Sequence, residues 1–254
     1  PLEYCHNLSK HLNLKELFIK RDDLTGLAFG GNKVRHLEFR FGYIKKHKFN
    51  HIVNANMAIS NNARLWSAAS VLNNIPFTNI MSKELDTSLQ GNHLLNYLMD
   101  INIIYSKTSN EEILHKEAIR YGDNLKSKGL KPYVTVNEKF NEIAAILSYL
   151  NTALELNTQF INLGLKKIHI FQASGSSYLG LCLAKKILNL KHWTITGIGP
   201  RLQPRMRNIR GITNSTIKLF EKTFSNKLNF EYLDYKDLNW DLRFYGEGYG
   251  LSTK

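Results

Sequence analysis

The chain has 254 residues and carries 34 Lys and Arg against 21 Asp and Glu, a formal charge of +13. With 43% hydrophobic and 22% charged residues it has the balance of a globular protein, which excludes a disordered chain. No apolar run nears the roughly 20 residues of a membrane span. The opening PLEYCHNLSK lacks signal-peptide anatomy, and Cys5 and Cys182 are too far apart in sequence to suggest a disulfide framework or a zinc cluster. The expectation is a cytoplasmic protein without a metal. The charge raises a nucleic-acid partner, but apart from KKHK (Lys45–Lys48) and Arg201–Arg210 the basic residues are dispersed. Nucleic-acid binding is therefore not expected as the main function.

In chain order the rhythm is strand, loop, helix. Leu14–Arg21 alternates as a strand, and Gly30–Lys48 turns from glycines into a helical apolar period at Val34, Leu37, Phe41 and Ile44. Strands are expected at His51–Ala55, Phe77–Ser82, Ile101–Ser106, Pro132–Val136, Lys166–Ala173, Trp193–Gly199 and Phe230–Tyr235. Helices are expected at Ala63–Leu72, Gly91–Met99, Glu111–Lys128, Asn141–Asn162, from the SGSS stretch at 174–177 onward, and at Met206–Lys222. This alternation predicts a doubly wound α/β architecture with parallel sheets.

Three strand- or loop-to-helix junctions carry chemistry. In FGGNKVRHLE (Phe29–Glu38), two glycines free the backbone, Asn32 is placed to cap, and Lys33 stands in the first helical turn. The positive end of a helix favours the neutral, nucleophilic form of an amine there, though a plain surface lysine at a helix start is the commoner case. In ANMAISNNAR (Ala55–Arg64), Ser60, Asn61 and Asn62 bring polar side chains and free N–H groups to a helix start. Such a start suits a carboxylate, though plain capping explains it equally well. In QASGSSYLGL (Gln172–Leu181), Ser174, Gly175, Ser176 and Ser177 open another helix and suit a phosphate, though a tight turn accounts for them too. An amine nucleophile, an anion site and a phosphate site together suit pyridoxal 5′-phosphate.

The run IKRDDLTGLAFGGNKVRHLE (Ile19–Glu38) resembles the signature of the D-cysteine desulfhydrase and 1-aminocyclopropane-1-carboxylate (ACC) deaminase family. These are fold-type II pyridoxal-phosphate enzymes of the tryptophan synthase β superfamily. SNNAR, GNHLLNYL (Gly91–Leu98), KPYV (Lys131–Val134), SGSSYLGL and EGYGLST (Glu247–Thr253) match further family stretches in order. The resemblance implies two doubly wound parallel-sheet domains with the cofactor cleft between them. Residues 1–46 and 155–254 would form the large domain and residues 47–154 the small one.

The resemblance also implies roles. Lys33 would form the Schiff base, and Asn61 would bond the cofactor's 3′ oxygen. Ser60, Asn61 and Asn62 would hold the substrate carboxylate, with Ser60 also placed for proton transfer. Ser174, Gly175, Ser176 and Ser177 would cradle the phosphate, and Tyr249 would approach the substrate. The expected activity is a lyase or deaminase acting on a small amino acid in a homodimer, releasing ammonia and a keto acid. Family members continue beyond the position of Lys254 with a segment facing the pyridine nitrogen. Departures from the family pattern stand at Ile59, Asn62, His36 and Ser176, and in NEKFNE (Asn137–Glu142). They motivate an alternative reading as a divergent, non-catalytic relative that binds a small ligand or a protein partner.

Overall fold

The structure, a computed structural model, describes residues 1–82, 89–173, 175–199, 208–225, 227–228, 232–241 and 243–244. Backbone contacts group the chain into two compact units, Pro1–Asn141 and Glu142–Lys254.

The first unit opens with an antiparallel pair, β1 (Leu2–Tyr4) and β2 (Phe18–Lys20), joined through the short helix α1 (His6–His11). The expected strand at Leu14–Arg21 shrinks to its last third, because Leu14 and Leu17 bond back to Ser9 of α1. The main layer is a parallel four-stranded sheet of β3 (His51–Met57), β4 (Phe77–Ser82), β5 (Asn102–Ser106) and β6 (Pro132–Val134), in the spatial order β5-β4-β3-β6. The chain moves outward from β3 to β4 and β5, then returns to place β6 on the other side of β3. β3 is thus a topological switch point, beyond whose carboxyl end open α/β sheets bind ligands.

Helices α2 (Lys33–Lys46), α3 (Asn61–Leu72), α4 (Gly91–Leu98) and α5 (Glu111–Ser127) complete this unit. Two apolar clusters hold α2, α3 and α5 against the sheet. Leu37, Phe41 and Ile44 of α2 pack with Trp66 of α3, Ile52, Phe77 and Tyr133. Val53, Ala55, Ile80 and Val134 pack with Leu114, Ala118 and Leu125 of α5. The sheet also buries amides: the Thr135 hydroxyl donates to Asn54 Oδ1 at 2.7 Å, and Asn54 Nδ2 donates to Asn79 Oδ1 at 3.2 Å. A buried asparagine is tolerated where its hydrogen bonds are made inside the protein.

The second unit contains most of α6 (Phe140–Asn162) together with β7 (Ile168–Ala173), α7 (Gly175–Ile187), β8 (Trp193–Ile198), α8 (Ile209–Phe224) and β9 (Trp240–Asp241). Its sheet is parallel throughout, ordered β7-β8-β9. Helix α7 is buried without a break from Ser177 to Ala184. The expected strand at Phe230–Tyr235 is corrected where it is described. Asp234 caps a 3₁₀ turn over Tyr235–Asp237, and the strand forms later, as β9. Tyr178 fixes that position: its hydroxyl donates to Asn239 O at 2.8 Å and accepts from Asn239 N at 2.7 Å. Among the described residues no helix is long and apolar enough to cross a membrane.

Gly180 lets α7 close on α6, since a Cβ there would lie 2.5 Å from Tyr149 Cβ and 2.7 Å from Ile146 O. Gly180→Ala is expected to destabilise the protein by about 1–3 kcal/mol through overpacking. Thermal unfolding followed by circular dichroism checks this; an unchanged Tm would show that α6 and α7 have room to part.

Candidate active site

The loop before α2 is built to hold a backbone that most residues avoid. Gly26, Ala28, Phe29, Gly30 and Gly31 all have positive φ. At Gly30 a side chain would run into the Asp23 carbonyl, so only glycine fits. Thr25 closes the turn: its hydroxyl donates to Asp22 O at 2.8 Å and accepts from Gly31 N at 3.0 Å. Arg35, in the first turn of α2, reaches back to the Asp22 carboxylate at 2.9–3.0 Å, and both side chains are largely buried. The long motif is therefore a self-stapled loop. Its strain is balanced by bonds between its own ends.

That loop delivers Lys33 to the first position of α2. Asn32 does not cap the helix with its side chain; its Oδ1 instead accepts from Lys33 Nζ at 3.1 Å. Burial, and then the positive charge of Arg40, draw the Lys33 pKa below the usual lysine value. His36 and Arg40 follow one and two turns along the helix, and both are buried. Arg40 is pinned by the Asn141 carbonyl at 2.9 Å and lies 5.4 Å from the Trp66 ring centroid. Burial, and then Arg40 and Lys33, hold the His36 pKa well below its usual value, so its imidazole is neutral. A neutral amine is the form that attacks a carbonyl.

The second expected junction lies at the carboxyl end of β3. Ser60 is the N-cap of α3, accepting from Ala63 N at 3.3 Å while its hydroxyl donates to Asn56 Oδ1 at 3.2 Å. Ser60 is buried, Asn61 is exposed and Asn62 lies between. The capping role is therefore observed, and it stands at the helix end where an anion is favoured.

These two junctions are joined. Arg64 on α3 donates from Nη2 to Gly30 O at 2.9 Å and from Nη1 to Asn92 Oδ1 at 3.1 Å. Asn92 of α4 donates to Ile59 O at 2.7 Å and to Asn61 Oδ1 at 3.0 Å. The lysine loop and the Ser60–Asn62 loop are thus tied by one arginine and one asparagine. Nothing in the sequence marks that bridge, because Asn92 stands 28 residues from Arg64. The signal available was only that both residues fall in stretches matching a family.

The third junction belongs to the second unit. β7 ends at Ala173 and α7 starts at Gly175, so Gly175, Ser176 and Ser177 form the first turn of that helix. Ser177 is fully buried. Ser174 and Tyr249 lie outside the described residues. Among the described residues no group of three or more His, Cys, Asp or Glu is arranged to hold a metal ion. Taken unit by unit, the donor types suit pyridoxal phosphate: in the first unit Lys33 offers an amine and Asn61 an amide, and in the second the helix start at Gly175 is of the kind that receives a phosphate.

No family model matches the chain. Among curated proteins, it is 33% identical over 200 residues to a Pyrococcus abyssi protein provisionally named an ACC deaminase, covering 78% of this chain and 59% of that protein. It is 26% identical over 189 residues to the D-cysteine desulfhydrase of Yersinia pestis (strain Pestoides F), covering 72% and 56%. The chain therefore spans somewhat under six-tenths of these relatives' length. The solved structure of an ACC deaminase homologue superposes with a TM-score of 0.73 at 26% identity, covering 94% of this chain and 70% of the other. Maize serine racemase shares the fold, with a TM-score of 0.59 at 18% identity over 91% of this chain and 61% of the other.

The buried His36 gives a test of the site's electrostatics. Its folded pKa lies below the usual 6.5, so the unfolded chain takes up a proton that the folded chain refuses. Its stabilising contribution is complete above about pH 6.5 and is lost as pH falls below it. Urea melts between pH 7.5 and 5 are expected to show that loss, and His36→Gln to lessen it. His51, whose pKa burial also lowers, retains part of the slope. A slope unchanged by His36→Gln would show that the imidazole is not excluded from protonation.

Proposed function

We propose that this chain, homologous to the D-cysteine desulfhydrase and ACC deaminase family, carries out pyridoxal-phosphate-dependent elimination on a small amino acid. The products would be ammonia and a keto acid, with sulfide when the substrate is D-cysteine. The observation that carries this reading is Lys33. It is a helix-start lysine whose pKa is lowered by burial and by Arg40, on a strained loop that Arg64 ties to the start of α3.

Each residue then has a task. Lys33, whose pKa burial and Arg40 lower, would supply the amine for the cofactor's carbonyl and a base for proton transfer. Asn61 donates to the ring's 3′ oxygen. The amides opening α3, with Asn62, receive the substrate carboxylate and so orient the amino acid. Ser60, bonded to Asn56, can hand on a proton through its hydroxyl. Ser174, Gly175, Ser176 and Ser177 receive the phosphate, and Tyr249 approaches the substrate. When bound, pyridoxal phosphate supplies an electron sink for the bond broken at the substrate's carbon. The proposed domain organisation joins residues 1–46 to 155–254, with 47–154 as the inserted domain. The proposed assembly is a cytoplasmic homodimer.

The test is capture of pyridoxal phosphate followed by borohydride reduction and peptide mapping. The label is expected on Lys33, and Lys33→Ala is expected to abolish both the visible imine absorbance and the label. Undiminished labelling of the variant would remove Lys33 from the role. D-cysteine and ACC offered to the native chain then separate the two candidate substrates.

A further inference from the structure

We propose that Arg64 and Asn92 act as a polarity relay that fixes which end of the Asn61 amide faces the ligand, making them positioning residues for the site. The inference rests on the reading of Asn61 as a cofactor contact, but its geometry stands without it.

The relay follows from donor and acceptor chemistry. A side-chain amide has two ends, an acceptor oxygen and a donor nitrogen, and an asparagine can turn either outward. Arginine has no such choice: it only donates, and it stays protonated even where burial lowers its pKa, as it does for Arg64. With Nη2 of Arg64 held by Gly30 O, Nη1 faces Asn92 at 3.1 Å and admits only its oxygen. Asn92 must then turn its nitrogen the other way, where the Ile59 carbonyl at 2.7 Å, itself only an acceptor, receives it. The same nitrogen meets Asn61 at 3.0 Å and requires an oxygen there. Asn61 is exposed, and with its oxygen engaged it offers the nitrogen outward, as a donor.

Two acceptor-only carbonyls and one donor-only cation thus leave no frustration-free alternative. A reversed Asn92 would set its nitrogen against Arg64 and its oxygen against Ile59 O. The outward group of Asn61 is therefore a preset donor, matched to a ligand oxygen that carries negative charge. A preset donor costs no reorientation on binding. The relay begins at Gly30, in the loop that carries Lys33, so the amine and the Asn61 donor are referred to the same backbone.

Asn92→Asp tests this. The carboxylate still accepts from Arg64 but cannot donate, so Asn61 must turn its nitrogen inward and its oxygen outward. In 15N-labelled full chain without cofactor, side-chain amide exchange is expected to show the Asn92 NH2 protected and the Asn61 NH2 open. In Asn92→Asp the Asn61 NH2 becomes protected several-fold. The second readout is affinity for pyridoxal phosphate against its 3-deoxy analogue. The native chain is expected to prefer pyridoxal phosphate by about three- to tenfold, the worth of one hydrogen bond, and the variant to lose that preference.

Asn61 amide exchange unchanged by Asn92→Asp would overturn the relay whether or not cofactor binds. A native chain that captures no pyridoxal phosphate would instead overturn the proposed function and leave the exchange result to decide the relay. Should Asn92→Asp fail to fold, Asn92→Ala serves in its place. It is expected to free Asn61 to rotate between both orientations, shifting its pair of side-chain NH2 signals toward those of an unstructured asparagine, and an unshifted pair would count against the relay.

Discussion

The candidate site depends on one guanidinium. Arg64 takes the Gly30 carbonyl in one hand and the Asn92 amide in the other, and with that it brings the lysine loop, the start of α3 and the start of α4 into one hydrogen-bonded unit. A guanidinium suits this task because its donors are rigidly forked and cannot be reassigned. A lysine in its place could satisfy either partner but would not hold both in a fixed plane. The chain of bonds ends on backbone carbonyls, Gly30 O at Arg64 and Ile59 O at Asn92, which belong to the fold and do not turn.

Around that bridge, charge and strain work together. The loop from Gly26 to Gly31 holds five residues at positive φ, and its cost is balanced by the Asp22–Arg35 ion pair and by the Thr25 hydroxyl, both internal to the motif. What the strained path achieves is placement: Lys33 arrives at the head of α2, with His36 and Arg40 buried one and two turns below it. Three basic side chains in a row would repel if all were charged. The column resolves this by keeping His36 neutral and lowering the Lys33 pKa, while Arg40, which keeps its charge, is held by a carbonyl and an aromatic ring. In a relative with lysine at position 36 the column would carry a different charge. The histidine here weakens that field without removing the nitrogen donor.

Much of this was legible along the chain. The alternation of β3, α3, β4, α4, β5 and α5 is written in apolar periodicity, because the central strands β3 and β4 are buried on both faces and the helices present an apolar side to them. Lys33, Ser60, Asn61 and Gly175–Ser177 all stand at helix starts, where local rules suffice. Of the first strand pair only β2 was legible, within the expected strand at Leu14–Arg21; β1 has three residues, and a strand that short has no period to read. The strand expected at Phe230–Tyr235 shows the opposite failure: alternation alone suggested pairing, but Asp234 caps a turn there and Tyr178 recruits Asn239 to set β9. That choice was made 61 residues away.

The sequence by itself determined the fold class, the residues that could do chemistry and the family to compare them with. Those properties are local: a helix start, a glycine that no other residue can replace, a lysine at a fixed offset. Only the tertiary structure decided that Arg64 and Asn92 matter, that Asn32 serves Lys33 and not the helix cap, and that Lys33 is half-buried near the positive charge of Arg40. Each of those facts concerns a distance between particular side-chain atoms, or the burial that removes water from around a charge. Composition and spacing carry neither, because hydrogen bonds and dielectric screening depend on position in space and not on position along the chain.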